Sequence, residues 1–434
     1  MHRISQKCKI CKNTKRTMEI KRDKYLNRLI AHQGNQRVKI ITGIRRSGKS
    51  YLLFRIFKQH LLDSGVKPSH IIEIQLDDRI NIELRNPDAC LAYIRKSVKD
   101  NKPYYLLIDE VQLMPEFEDV LNSCLHINNL DTYVTGSNSR FLSTDIITEF
   151  RGRGDEIYLR PLSFSEFATT CPSLDFDSAW LQYITYGGLP YCALLPTAEE
   201  KADYLTHLFE EVYVRDIMER HHIQYPNQLE QLMNIVSSGI GSLTNPKKLE
   251  NAFVSMGGEK LSDRTIKQYL DHLTDAFILE RADRYDIKGK KYISTPSKYY
   301  FTDTGLRNAR INFRQQEKTH LMENVLYNEL CGRGFSVDVG VVEVNEKQSD
   351  GKYVRKQLEI DFVCNKADER IYIQSAFSLP TMEKRQTEER SLISVDDSFR
   401  KVIITADKVM KHRDEQGVLI MGLQDFLMNP EASF

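Results

Sequence analysis

Val38-Lys39-Ile40-Ile41-Thr42-Gly43-Ile44-Arg45-Arg46-Ser47-Gly48-Lys49-Ser50-Tyr51 decides the fold. A short apolar run enters G-x-x-x-x-G-K-S, and the helix-compatible stretch Leu52-Leu53-Phe54-Arg55-Ile56 leaves it. Strand, glycine-rich turn and helix in that order are what a phosphate-binding loop needs. Gly43 and Gly48 permit sharp turns and a close backbone approach. Backbone N–H groups between Gly43 and Tyr51, at the loop and the helix N-terminus, would face the phosphates of ATP. Lys49 would place its ammonium on the β- and γ-phosphates, and the Ser50 hydroxyl would ligate Mg2+.

A second stretch fits the first. Tyr104-Tyr105-Leu106-Leu107-Ile108-Asp109-Glu110 is an apolar run that ends in two carboxylates. It reads as a parallel strand buried on both faces. Asp109 would join Ser50 in holding Mg2+, and Glu110 would polarise the attacking water as general base. A third short strand, Asp131-Thr132-Tyr133-Val134-Thr135, exits through Gly136-Ser137-Asn138. Ser137 or Asn138 is placed to orient the water or sense the phosphate, although a plain turn would read the same. Strands alternating with helical patterns predict an α/β fold, a parallel sheet covered on both faces.

Downstream lies Arg151-Gly152-Arg153-Gly154, then Leu159-Arg160-Pro161-Leu162-Ser163-Phe164-Ser165-Glu166-Phe167. With G-I-R-R-S-G-K-S, L-L-I-D-E-V-Q and V-T-G-S-N-S, these pieces make residues 18–167 resemble the AAA-type branch of the P-loop ATPases. The resemblance is to a prokaryotic group that carries a C-terminal domain of unknown function. It implies that an arginine near Gly152 acts on transition-state charge, in cis or in trans. Arg153 is the first choice and Arg151 the second, with a solvated basic loop as the bland alternative.

The totals bound the rest. A chain of 434 residues exceeds one ordinary core, so two to four domains are expected. A net charge of +1 gives no overall drive toward nucleic acid or membrane. No apolar stretch approaches the ~20 residues of a membrane span, so no membrane partner is expected. The eight cysteines stand mostly alone in apolar contexts, which predicts a reduced, cytoplasmic protein. Residues 1–17 are basic and hold Cys8-x-x-Cys11 without a second pair. They read as a dispensable, disordered extension rather than a zinc site.

The remaining chain divides by pattern. Residues 168–227 read as a helical lid, with Tyr204, Leu208, Val212 and Ile217 on one side of a long helix and His221-His222 at the surface. Residues 228–305 read as three helices and a two-stranded ribbon, the order of a winged helix-turn-helix. Arg264, Lys267 and Gln268 would then meet a duplex DNA groove, and Lys288, Lys290 and Lys291 the phosphates. Asp263, Asp271 and Asp275 dilute that face, and winged helices also serve protein contacts.

Residues 318–434 offer Glu323 on a helix, Asp361 on a strand and Gln374-Ser375-Ala376 on the next strand. They resemble a restriction-endonuclease-like core whose E-x-K triplet has lost its carboxylate and its lysine. The resemblance implies weak residual metal binding at Glu323 and Asp361 and no nuclease chemistry. The whole then reads as an AAA-type ATPase coupled to a winged helix and a nuclease-like region. Duplex DNA, a protein partner and self-association are the open alternatives for its target.

Overall fold

β1 (Val38–Thr42) is buried along its whole length, as a strand at the centre of a parallel sheet must be. Its one charged residue, Lys39, is fully buried. It is tolerated because Asp131 on the neighbouring strand accepts its ammonium and the Tyr133 ring lies 4.9 Å from it. The computed structural model describes residues 20–136, 152–255, 261–314, 316–347, 352–429 and 434.

Around β1 stand β2 (Ile71–Gln75), β3 (Tyr104–Asp109), β4 (Leu130–Thr135) and β5 (Gly154–Tyr158). All pairs are parallel, in the order β2-β3-β4-β1-β5. The strand before the glycine-rich loop and the strand ending in Asp109 are therefore separated only by β4. One face is covered by α1 (Asp23–Ala31) and by α2, which spans residues 49–63. Tyr25, Leu29, Leu52, Leu53, Phe57 and Leu61 fill that layer. The other face carries α3 (Pro87–Ser97) and α4 (Phe117–Cys124), packed through Cys90, Ile94, Val120, Leu121 and Cys124. Asn86 caps α3 through its side chain and Pro87 opens it.

The helical segment follows. α5 (Phe176–Tyr186) leads to α6, which runs unbroken over residues 198–221. Leu208–Val214 within α6 is wound as a π-helix. The wider turn shifts the buried face, so Tyr213 rather than Val212 lies inside. α7 (Pro226–Ser238), α8 (Pro246–Ser255) and α9 (Asp263–Asp275) complete a second core with α6.

The antiparallel pair β6 (Leu279–Asp286) and β7 (Lys291–Phe301) supplies the two strands of the expected ribbon. β6 also pairs in parallel with β8 (Ser336–Lys347). The hairpin is thus the edge of an eight-stranded sheet, β12-β13-β11-β10-β9-β8-β6-β7. Its other strands are β9 (Tyr353–Lys366), β10 (Glu369–Ala376), β11 (Arg400–Thr405), β12 (His412–Arg413) and β13 (Leu419–Gly422). The division expected between 305 and 318 falls inside one continuous sheet. Local pattern identified both strands, but the partner of β6 lies over fifty residues away, beyond any local signal.

α10 (Thr304–Arg310) joins the two cores, and α11 (Lys318–Gly332) packs on one face of the large sheet. α12 (Met382–Ile393) covers the other face, and α13 (Leu423–Met428) closes the chain. Among the described residues no helix is long and apolar enough to cross a membrane.

Candidate nucleotide site

The loop after β1 is shaped by its glycines. Gly43 has φ +133°, and a Cβ there would lie 2.2 Å from the Leu159 carbonyl oxygen. No side chain fits that approach. Gly48, at φ +97°, turns the chain into α2. Lys49 is buried, and its Nζ donates to the carbonyls of Gly43 (2.9 Å) and Ile44 (3.0 Å). The ammonium thus spans the loop that the sequence assigns to phosphate. Burial pulls the Lys49 pKa down to about 8, against the opposing pull of Glu110 and Asp109. The Ser47 hydroxyl is buried in the same loop without a hydrogen-bond partner. A buried orphan donor beside a buried ammonium fits an oxyanion.

Asp109 ends β3 and is 4% exposed. Burial raises its pKa, while hydrogen bonds from Thr135 and Ser50 oppose the shift. Ser50 and Asp109, placed apart by sequence, therefore lie close enough to interact. A hydroxyl and a carboxylate suit Mg2+, which prefers few protein oxygens and keeps its waters. Glu110 takes the left-handed conformation, φ +49°, so the chain turns sharply after the strand. Its backbone N–H donates to Thr135 Oγ1 (3.1 Å), and Gln112 Nε2 donates to its carboxylate. Thr135, the last residue of β4, thus ties Asp109 and Glu110 together. It escaped the sequence reading, although a hydroxyl at the C-terminal end of a buried strand was an available signal.

The lid touches the loop through two residues to which the sequence assigns no chemistry. Tyr213 OH donates to the Arg45 carbonyl (2.7 Å), and Arg45 Nη2 is 3.3 Å from Asp216 Oδ1. Arg46 has φ +64° and is exposed at the loop tip. At its far end α6 places His221 on His272 of α9, ring centroids 3.6 Å apart. His221 is therefore not a free surface residue. Burial, then His272, lowers its pKa to about 4, so the stacked ring is neutral near pH 7.

Arg153 is not brought to the loop. It is exposed just before β5, and its carbonyl accepts from Val38 N–H (3.0 Å). Val38 pairs with Gly154, whereas Thr42, next to the loop, pairs with Tyr158. Five strand steps, about 17 Å at roughly 3.3 Å each, separate Arg153 from Tyr158 at the loop end of β5. That geometry argues against a role in cis. Asn138 and Arg151 lie outside the described residues, as do Ser137 and residues 1–17.

The C-terminal candidates do meet. Glu323 Oε1 and Asp361 Oδ1 lie 2.8 and 3.8 Å from one ammonium, that of Lys298 on β7. The sequence reading finds no lysine at Gln374-Ser375-Ala376, and the structure supplies one from a strand far away in the chain. On α9, Arg264, Lys267 and Gln268 are all exposed. Of the hairpin lysines, Lys288 donates to the Glu343 carbonyl (3.0 Å), Lys290 lines a cleft of about 790 Å³ with Asp368, Asp396 and Asp397, and Lys291 is exposed.

Comparison with known proteins agrees with the first half of this picture. Residues 35–168 match the family model described as AAA domain. Residues 177–317 match a Domain of unknown function (DUF8612). An uncharacterized protein of Haemophilus influenzae is 31% identical over 418 residues, covering 94% of this chain and 98% of that protein. An uncharacterized protein of Methanocaldococcus jannaschii is 28% identical over 338 residues, covering 75% of this chain and 72% of its own length. Among solved structures, a Walker-type ATPase of Pyrococcus abyssi aligns at 13% identity with a TM-score of 0.48, over 68% of this chain and 97% of that one.

Proposed function

We propose that this chain, which belongs to the same family as the Haemophilus influenzae protein, is a Mg2+-dependent AAA-type ATPase that couples nucleotide state to its C-terminal half. The Thr135 bridge between Asp109 and Glu110, beside the buried Lys49 ammonium that spans the glycine-shaped loop, carries the reading. Lys49 leaves the Gly43 and Ile44 carbonyls and holds the β- and γ-phosphate oxygens. The N–H groups from Gly43 to Tyr51 cradle the phosphates. Mg2+ held by Ser50 and Asp109 neutralises phosphate charge when bound. Glu110 takes a proton from the attacking water as its oxygen bonds to the γ-phosphorus and the bridging P–O bond breaks. Positioning and electrostatics supply most of the rate, as phosphoryl transfer allows. Arg153 serves a neighbouring copy in this reading.

The coupling runs along α6. The Tyr213 and Asp216 contacts to Arg45, and the His221–His272 stack, support it. The three helices α7–α9 with the β6–β7 hairpin form a winged-helix-like unit. Its exposed Arg264, Lys267 and Gln268 favour duplex DNA as target. The hydrogen bond of Lys288 to the Glu343 carbonyl and the acidic cleft beside Lys290 favour the second reading, a nucleotide-switched protein-interaction module. The six described cysteines are unpaired, which supports a reducing, cytoplasmic setting. Steady-state ATP turnover with Mg2+ tests the core claim. Lys49→Ala is expected to abolish it, and Glu110→Gln to keep nucleotide binding while slowing turnover by about 10²-fold or more. Wild-type turnover no higher than that of Lys49→Ala would refute hydrolysis.

A further inference from the structure

Three carboxyl groups converge on one ammonium in the C-terminal half. Glu323 comes from α11, Glu359 and Asp361 from β9, and Lys298 from the hairpin strand β7. Lys298 Nζ lies 2.8 Å from Glu323 Oε1, 2.7 Å from Glu359 Oε1 and 3.8 Å from Asp361 Oδ1. Only 4% of the lysine side chain is exposed. Tyr300 OH donates to the same Glu323 Oε1 (2.6 Å), and Ser375 N–H donates to Asp361 Oδ2 (2.8 Å).

Charge explains why the arrangement is stable. Burial alone would discharge Lys298, but Glu323, Asp361 and Glu359 together hold its pKa above the ordinary lysine value. Burial, then Glu323, pushes the Asp361 pKa up, so this group keeps a proton more readily than a free aspartate. One ammonium supplies positive charge at the point where three carboxyl groups converge. Oxygens from separate elements around one small cation are also the donor pattern of a divalent metal.

We infer that Lys298 is a built-in cation that takes the place of a divalent metal among Glu323, Glu359 and Asp361, so that this half of the chain is metal-independent. A lysine from β7 fills the centre of the carboxylate set and closes it to a metal ion. It also fastens the hairpin to α11 and β9, because removing the ammonium would leave buried like charges unopposed. This inference does not depend on the ATPase reading.

The test is Mn2+ binding by the full chain, followed by electron paramagnetic resonance, without nucleotide and in an Asp109→Asn background that weakens the other metal site. With Lys298 intact, no Mn2+ dependent on Asp361 is expected. Lys298→Ala is expected to bind one Mn2+ at least about tenfold more tightly than its parent, and adding Asp361→Asn is expected to abolish that gain. An Asp361-dependent Mn2+ site in the parent, or no gain in Lys298→Ala, would overturn the inference. Should Lys298→Ala fail to fold in chelator, recovery of its circular dichroism by millimolar Mn2+ supports the inference, and no recovery refutes it.

Discussion

Lys49 is the residue on which nucleotide affinity should depend most visibly. Its pKa is drawn down to about 8 by burial. A bound triphosphate places negative charge on the ammonium and raises that value again. Below pH 8 the ammonium is charged in both states, and affinity is independent of this group. Above pH 8 the free protein has lost the proton, and binding must take it up. The nucleotide dissociation constant is therefore expected to rise by roughly tenfold per pH unit above 8, until the bound-state pKa is reached. Titration with a fluorescent ATP analogue at pH 7, 8 and 9 measures it. A constant flat across that range would mean that the ammonium does not meet the phosphates.

At the scale of elements, α6 is the part whose role the sequence conceals. Its amphipathic period was plain, and so was its length. The π-turn at Leu208–Val214 was not, and it decides that Tyr213 faces the loop. The loop, β3 and their carboxylates were legible because their chemistry is local: glycines, one lysine and two acids at fixed spacing. Thr135, Asp216 and Lys298 were not, because each acts on a residue distant in the chain. If α6 transmits nucleotide state, severing it from the loop should silence α9 without emptying the site. Tyr213→Phe with Asp216→Ala removes one hydrogen bond and the ion pairs of Asp216 with Arg45 and Arg220. Such half-buried pairs are worth about 0.2–1 kcal/mol each, too little to unfold a domain. Nucleotide affinity is expected to change less than about threefold. The nucleotide-dependent change in hydrogen exchange over residues 263–275 should disappear. Persistence of that change would place the coupling elsewhere.

At the scale of the molecule, sheet continuity limits what coupling can do. β6 and β7 follow α9 directly and share a sheet with β8–β13, so α9 cannot shift far without the C-terminal half. The hairpin runs seven steps from Leu279–Phe301 to Asp286–Lys291, about 23 Å at roughly 3.3 Å per step. Lys288 lies at that far end and donates to the Glu343 carbonyl of β8, unlike a wing free to close on a duplex. With a net charge of +1, affinity for DNA can come only from a local face, and α9 offers Arg264 and Lys267. Under the DNA-associated reading, duplex DNA should raise ATP turnover, and the activation should weaken steeply with salt. Arg264→Ala with Lys267→Ala should lower the slope of log affinity against log salt by about 2, since each phosphate contact releases roughly one counterion. Turnover indifferent to DNA at low salt would assign the same exposed face to a protein. Glu110→Gln, locked with ATP, is then the form in which that partner should bind most tightly, because it holds the loop and α6 in the nucleotide-bound arrangement.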